Sequence, residues 1–163
     1  MESYLTQTRP VNSLKNSKFL RIVVAGVAAT LAFNVVMYSD IAITGIPLDI
    51  PAVMGQIAVG ESAYAELAGH FIHLVNGIGL ALLFGYLVVP VAKKIFKQPI
   101  IVYAVLFAVF ETVVGVWFGM LPALGAGVAG LEIDPLVPMI TLTRHIVFGL
   151  VLGAILTQRR SNQ

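Results

Sequence analysis

The 163-residue chain is 58% hydrophobic and only 11% charged, with a mean hydropathy of +0.93; soluble domains hold about 45–50% apolar and about 25% charged residues, so a water-soluble globule is excluded. The absence of cysteine removes disulfides, iron–sulfur ligation and thiolate zinc sites. A net charge of +2 gives no nucleic-acid signal, because the basic residues lie in short segments between apolar runs and build no basic face.

Residues 1–21 form a polar, unpatterned arm with Ser3, Thr6, Thr8, Pro10, Asn12, Ser13 and Ser17, expected to lack stable structure of its own. A bilayer crossing takes about 20 apolar residues, and four runs qualify, at 22–43, 67–89, 100–121 and 137–157. The first is too long for a signal-peptide core and carries Asn34 in mid-run, which predicts a retained helix. Between the first two runs, Pro47-Leu48-Asp49-Ile50-Pro51 leads into an apolar stretch that ends at Ala58. This predicts a short interfacial helix capped by Asp49. The loop before the fourth run holds Gly125, Gly127 and Gly130, then Asp134-Pro135-Leu136-Val137-Pro138. The expected fold is all-α, a polytopic four-transmembrane-helix bundle forming one domain over 22–157 with a short tail at 158–163.

Nine of the ten basic residues fall in the arm (Arg9, Lys15, Lys18, Arg21), the middle turn (Lys93, Lys94, Lys97) and the tail (Arg159, Arg160). The two longer loops have none, but hold Asp49, Glu61, Glu66, Glu132 and Asp134. The positive-inside rule then puts both termini in the cytoplasm and both longer loops outside the cell (inner) membrane. Arg144, the one remaining basic residue, is expected to snorkel outward or to pair with Glu66, Glu132 or Asp134. Asp40 reads as an interfacial residue. Trp117, Tyr103, Tyr38, Tyr64 and Tyr86 read as aromatic-belt residues.

The halves of the chain align on their polar residues. His73-Leu74-Val75-Asn76-Gly77 matches His145-Ile146-Val147-Phe148-Gly149, and Phe33-Asn34 matches Phe110-Glu111, which suggests two parallel hairpin repeats. Each polar residue also sits four residues from a small one, as in Gly69, His73, Gly77 and in His145, Gly149, Gly153. Spacing by four marks a shared helix face, and small residues at that spacing let helices approach closely in lipid. A 1.5 Å rise per residue puts Asn34, His73, Glu111 and His145 in one layer, roughly 10–15 Å below the outer surface. Asn76 and Arg144 lie near it.

Glu66, His70 and His73 fall at i, i+4 and i+7 on the second span. With Glu111 and His145 they form a candidate metal set, since imidazole with carboxylate suits transition metals. A histidine from the second span, His70 or His73, paired with His145 is a candidate axial pair for a b-type haem. Against these stand two other readings: interhelical hydrogen bonds worth about 0.6 kcal/mol each, and a proton or small-solute pathway. No Ser/His/Asp arrangement, phosphate loop or dinucleotide fingerprint is present, and the balance leans against an enzyme.

The chain resembles an uncharacterised family of small bacterial four-helix integral membrane proteins. The resemblance rests on Ala28-Ala29-Thr30, on Ile46-Pro47-Leu48-Asp49-Ile50-Pro51 followed by Gly55, on His73 with Gly77, on Leu121-Pro122, and on His145 with Gly149 and Gly153. It implies a multi-pass membrane location without an established activity, and does not extend to Glu66, His70 or Glu111. The expected function is that of a non-enzymatic membrane protein or accessory subunit, with the bilayer as partner and glycine-rich faces for a second copy or a membrane complex. The alternatives are a metal- or haem-binding redox protein and a small-solute or proton permease.

The topology is tested by single cysteines at Ser3, Ser62, Gln98 and Ser161, labelled from outside intact cells. Only the Ser62 position should react, and labelling at Gln98 would overturn the four-span arrangement.

Overall fold

A computed structural model describes residues 11–158. Arg9, Arg159 and Arg160, counted above for orientation, lie outside the described residues. The described residues form helices without strands: α1 (Val11–Thr44), α2 (Ile50–Val59), α3 (Ala65–Ile95), α4 (Ile100–Ala123) and α5 (Val137–Thr157). Lys18–Thr44 within α1, and α3, α4 and α5 in full, are long and apolar enough to cross a membrane. Part of the expected polar arm is therefore helical. α1 starts at Val11, directly after Pro10, and no proline or glycine interrupts the chain from there to Gly26, so the helix runs without a break into the apolar segment.

The four long helices alternate in direction. α1 packs on α3 and on α5, and α5 packs on α4, but α3 and α4 meet only near one end, through Phe84–Ile95 and the first half of α4. There the Phe84 and Phe107 rings stack at 5.5 Å. This is the basic end of the bundle, since Arg21, Lys93 and Lys94 lie there; α2 covers the opposite, cap end. The matched halves thus share polar residues but not neighbours: a two-fold axis would make α3–α4 as close as α1–α5. Phe33 is buried, whereas its counterpart Phe110 is 63% exposed.

Glycines set the closest approaches. A Cβ on Gly77 would lie 1.9 Å from Thr30 Oγ1, and one on Gly149 would lie 2.8 Å from the Ala104 carbonyl oxygen. Gly153 meets Ile101 in the same way, and Gly26 meets Ala81. These faces are consumed inside the chain. Gly115 and Gly119 of α4, by contrast, are exposed and an added Cβ would meet only atoms of α4 itself.

At the basic end, Arg21 closes the bundle by donating from Nε and Nη2 to the Ile155 carbonyl oxygen, at 3.2 and 2.7 Å, and from Nη2 to that of Gln158. The carbonyls of the last turn of α5 lack intrahelical partners and carry the negative end of the helix dipole, so a guanidinium satisfies both needs. Tyr103, expected in an interfacial belt, is instead buried and holds the α3–α4 turn, accepting from the Gln98 amide at 2.9 Å and donating to the Phe96 carbonyl.

At the cap end the chain turns back on itself. Gly45, at φ +73°, ends α1 with its amide on the Ile41 carbonyl, a left-handed conformation that glycine adopts without strain. Asp49 then caps α2, its Oδ1 accepting from the Ala52 amide at 3.0 Å. The predicted capped helix is present, but α2 does not lie flat across the bundle. Its first residues, Ile50 and Pro51, are buried, while Ile57 and Val59 near its end are exposed. α2 begins inside the bundle and climbs outward along α3. The seam consists of two glycines, since a Cβ on Gly69 would lie 1.8 Å from the Pro51 carbonyl oxygen and one on Gly55 1.8 Å from that of Ala65.

Gly69→Ala should lower stability by about 3 kcal/mol or more, because backbone atoms must move to admit the methyl group. Gly79→Ala, where nothing lies within 4 Å, should gain up to about 1 kcal/mol from helix propensity. Unfolding of the two variants in detergent measures the difference, and equal effects would refute the seam.

Candidate functional site

Arg144 of α5 is fully buried. Its Nε and Nη2 donate to Asp40 Oδ2 and Oδ1 at 2.7 and 2.5 Å, and its Nη1 donates to the Leu48 carbonyl oxygen at 2.8 Å. The paired bonds match the planar fork of the guanidinium, the strongest geometry for a carboxylate. A permanently charged side chain in an apolar interior is tolerated only with such partners. Pairing was expected, but the partner is Asp40, neither Glu66 nor Glu132 nor Asp134, and the side chain does not snorkel. Asp40 lies one turn inside the end of α1 and comes level with Arg144 on the antiparallel α5. Glu66 is exposed, and Asp134 is engaged by the Leu136 amide at 2.8 Å.

The next residue, His145, turns toward α4. Its Nδ1 lies 2.7 Å from the Thr141 carbonyl oxygen, and a carbonyl only accepts, so Nδ1 carries a proton. Its Nε2 lies 3.1 Å from Glu111 Oε2. The separation is that of an ion pair, yet the alignment is not that of a hydrogen bond, and Oε2 has no hydrogen-bond partner in the protein. The contact is attractive with one proton between the two groups, whichever of them carries it. α4 widens to π-helical winding over Thr112–Met120, beginning at the residue after Glu111. Trp117, within this segment, donates from Nε1 to Thr141 Oγ1 at 2.9 Å, so Thr141 holds Trp117 by its hydroxyl and His145 by its carbonyl. Trp117 is thus tied to the site and is no plain belt residue.

His73 of α3 is 7% exposed, and neither ring nitrogen has a hydrogen-bond partner in the protein. It packs on the Phe33 ring at 5.0 Å, and His145 packs on the same ring edge-on, also at 5.0 Å. Asn34 Oδ1 is likewise buried and unpartnered. His73, Asn76, Glu111, Arg144 and His145 line one cavity of about 40 Å³, with Met54 of α2 and Met120 of α4 among its apolar walls. A water needs about 10–15 Å³ on this measure, so the space suits two or three waters or a small polar head. Toward the basic end the interior is closed by Thr30 against Gly77 and by fully buried Ala29, Ala81, Phe84 and Leu152.

The structure therefore gathers His73, Asn76, Glu111, Arg144 and His145 and leaves Glu66 and His70 outside. Glu66 is exposed, and His70 Nε2 faces the Tyr38 hydroxyl at 3.1 Å. α1 lies against that side of α3, so His70 meets Tyr38, and of the i, i+4, i+7 stack only His73 reaches the cavity of Glu111 and His145. Among the described residues no three His, Asp or Glu side chains come together as a metal set. A haem does not fit either. Both imidazoles pack on Phe33, His145 Nε2 faces Glu111, and the glycines expected to make room are filled by Thr30, Pro51 and Ala104. Asp40, Phe33 and the Leu48 carbonyl were missed as site components. The signal for Asp40 was present in the sequence as the acid placed, like Arg144, near the cap end of an apolar run.

Residues 17–163 match the model of DUF6789, described as a family of unknown function. The chain belongs to this family. The match covers the four membrane-length segments and every residue of the cavity, in keeping with the resemblance to an uncharacterised family. No curated protein and no solved structure matches.

Asp40→Ala leaves the guanidinium buried and unpaired and should cost about 3–5 kcal/mol, whereas the joint change Asp40→Leu with Arg144→Met should cost less than the two single changes summed. Denaturant unfolding of the single and double variants checks this, and strict additivity would show that the two side chains do not act as a pair.

Proposed function

We propose that the protein is a non-enzymatic, multi-pass protein of the cell membrane, with cytoplasmic termini and cap end outward, that binds a small uncharged ligand in the Glu111–His145–His73 cavity. The observation that carries this reading is His73, a buried imidazole whose two nitrogens find no protein partner and which lines a mainly apolar cavity shared with Glu111 and His145. Buried polar groups are nearly always hydrogen-bonded, and an unsatisfied one calls for an explanation. A ligand head that accepts from one nitrogen or donates to the other supplies it.

The charges favour an uncharged ligand. Asp40 neutralises Arg144, and Glu111 against His145 carries no net charge when the pair holds one proton between them. The dense packing toward the basic end favours binding over conduction, since a permeation path needs polar space on both sides of the layer. The orientation rests on the basic residues of the middle turn and α1, and the same rule puts α2 on the outer side.

A buried imidazole that no protein group bonds costs about 1–3 kcal/mol. His73→Leu should therefore leave ligand-free stability unchanged or raise it by about 1 kcal/mol, and should abolish the thermal stabilisation that the natural protein gains from the aqueous or organic fraction of a cell extract. A fall in stability typical of core truncation, with stabilisation by the extract retained, would mean that His73 is structural and would overturn the proposal.

A further inference from the structure

We propose that the ligand enters this cavity sideways, from the bilayer, through the gap between α3 and α4, and is an uncharged amphiphile with a compact carbonyl-bearing head and an apolar tail left in the lipid. This deepens the proposed function and rests on it. The other approaches are shut. From the cap end, α2 stands in the way, with Ile50 and Met54 on the cavity wall and the preceding Leu48 carbonyl held by Arg144. From the basic end, Thr30 fills the notch of Gly77. On the far side α1 and α5 pack together along their length, with Phe33 between them and the cavity.

The α3–α4 side is different. The two helices touch at Phe84 and Phe107 and part toward the cap end, where Ala65–Leu83 makes no substantial contact with α4. Counting equally along both helices from the Phe84–Phe107 contact brings Asn76 level with Gly115. Asn76 is exposed yet lines the cavity, and Gly115, one turn from Glu111, is exposed and bears no side chain. An amide on a lipid-facing flank is costly unless it meets a polar partner, and a glycine opposite it leaves the passage open.

The polar groups define the head. His73 and Asn76 stand on the α3 wall, and the proton of the Glu111–His145 pair on the opposite wall, so donors are available from two sides. A head with carbonyl acceptors satisfies both walls without bringing charge into them. Val116 and Met120 give the α4 side of the cavity an apolar lining, against which the start of a tail can rest. Pockets between the helices of a bundle, apolar with a few convergent polar groups, are a common form of small-molecule site.

The test uses the full chain in phosphatidylcholine nanodiscs, with Trp117, its sole tryptophan, as reporter and N-decylacrylamide, which joins a small carbonyl-bearing head to an apolar tail, as probe. Quenching should be saturable for the natural protein and only linear for acrylamide, the same head without its tail, at equal aqueous concentration. His73→Leu should weaken binding by about tenfold or more, which removes the pocket. Gly119→Leu should weaken it comparably while leaving the melt within about a degree, because the new side chain fills the gap and meets only atoms of α4; Gly115→Leu, one turn nearer the cavity and 3.1 Å from Glu111 Oε1 at its Cβ, serves as the second block. If the tail-less head binds as well, or if both glycine variants bind as the natural protein does while His73→Leu does not, the pocket stands and lateral entry is wrong. Linear quenching that no variant alters overturns the pocket and the lateral route together.

Discussion

A guanidinium that cannot lose its charge is buried in a bundle of apolar helices, and the arrangement of the cap end follows from satisfying it. Arg144 draws on Asp40 of α1 and on the Leu48 carbonyl of the chain leading into α2. The first bond pair fixes the register of α1 against α5. The second draws the α1–α2 connection into the bundle, so that α2 starts at the depth of the cavity. Without an inward anchor, a helix of ten residues with an apolar face would lie along the interface. Desolvating two charges consumes much of what their attraction returns, so the pair is better understood as specifying a geometry than as a source of stability. That geometry places Ile50 and Met54 against His73.

Beside this neutralised pair sits a second one of a different kind. Glu111 and His145 face each other at 3.1 Å without the alignment of a hydrogen bond, and the His145 ring is held from behind by Thr141, which also holds Trp117. The ring is thereby fixed in tautomer and orientation, while its forward nitrogen keeps only a loose partner. Such an arrangement leaves the facing atoms of both groups open to a third group that enters the cavity. His73, on the opposite wall, has no hydrogen bond to the protein and is held by packing, the Phe33 ring among its neighbours. One wall is thus preorganised by hydrogen bonds and the other by an aromatic contact, and the unequal spacing of α3 and α4 keeps the two walls apart.

Much of this was legible in the sequence. Apolar run length gave four helices, Asp49 gave the cap of α2, and the polar residues matched between the halves include three members of the cavity, His73, Glu111 and His145. What failed was inference from spacing along one helix to convergence in space. Glu66, His70 and His73 share a face of α3, but Glu66 stays exposed and α1 sets Tyr38 against His70 and Phe33 against His73. The repeat misled in a similar manner, because a matched pair such as Phe33 and Phe110 has the same local sequence but opposite surroundings. The Arg144 partner was misassigned because charges at loop positions were weighed ahead of Asp40, although only Asp40 lies at the right level. Helix level, which depends on the direction of each helix, decides such pairings, and linear distance does not.

The ties between α1 and α5 bear on how the chain is assembled. Arg144 and Asp40 are 104 residues apart, and Arg21 reaches Ile155 across 134, so the first long helix is clasped at both ends by the last one. During synthesis, Asp40 and the Leu48 carbonyl wait through the making of two further long helices before their counter-charge exists. α2 can be translated and capped early, yet it acquires its inward anchor only when α5 arrives. The cavity is therefore a product of completion: no shorter stretch of the growing chain holds both of its walls.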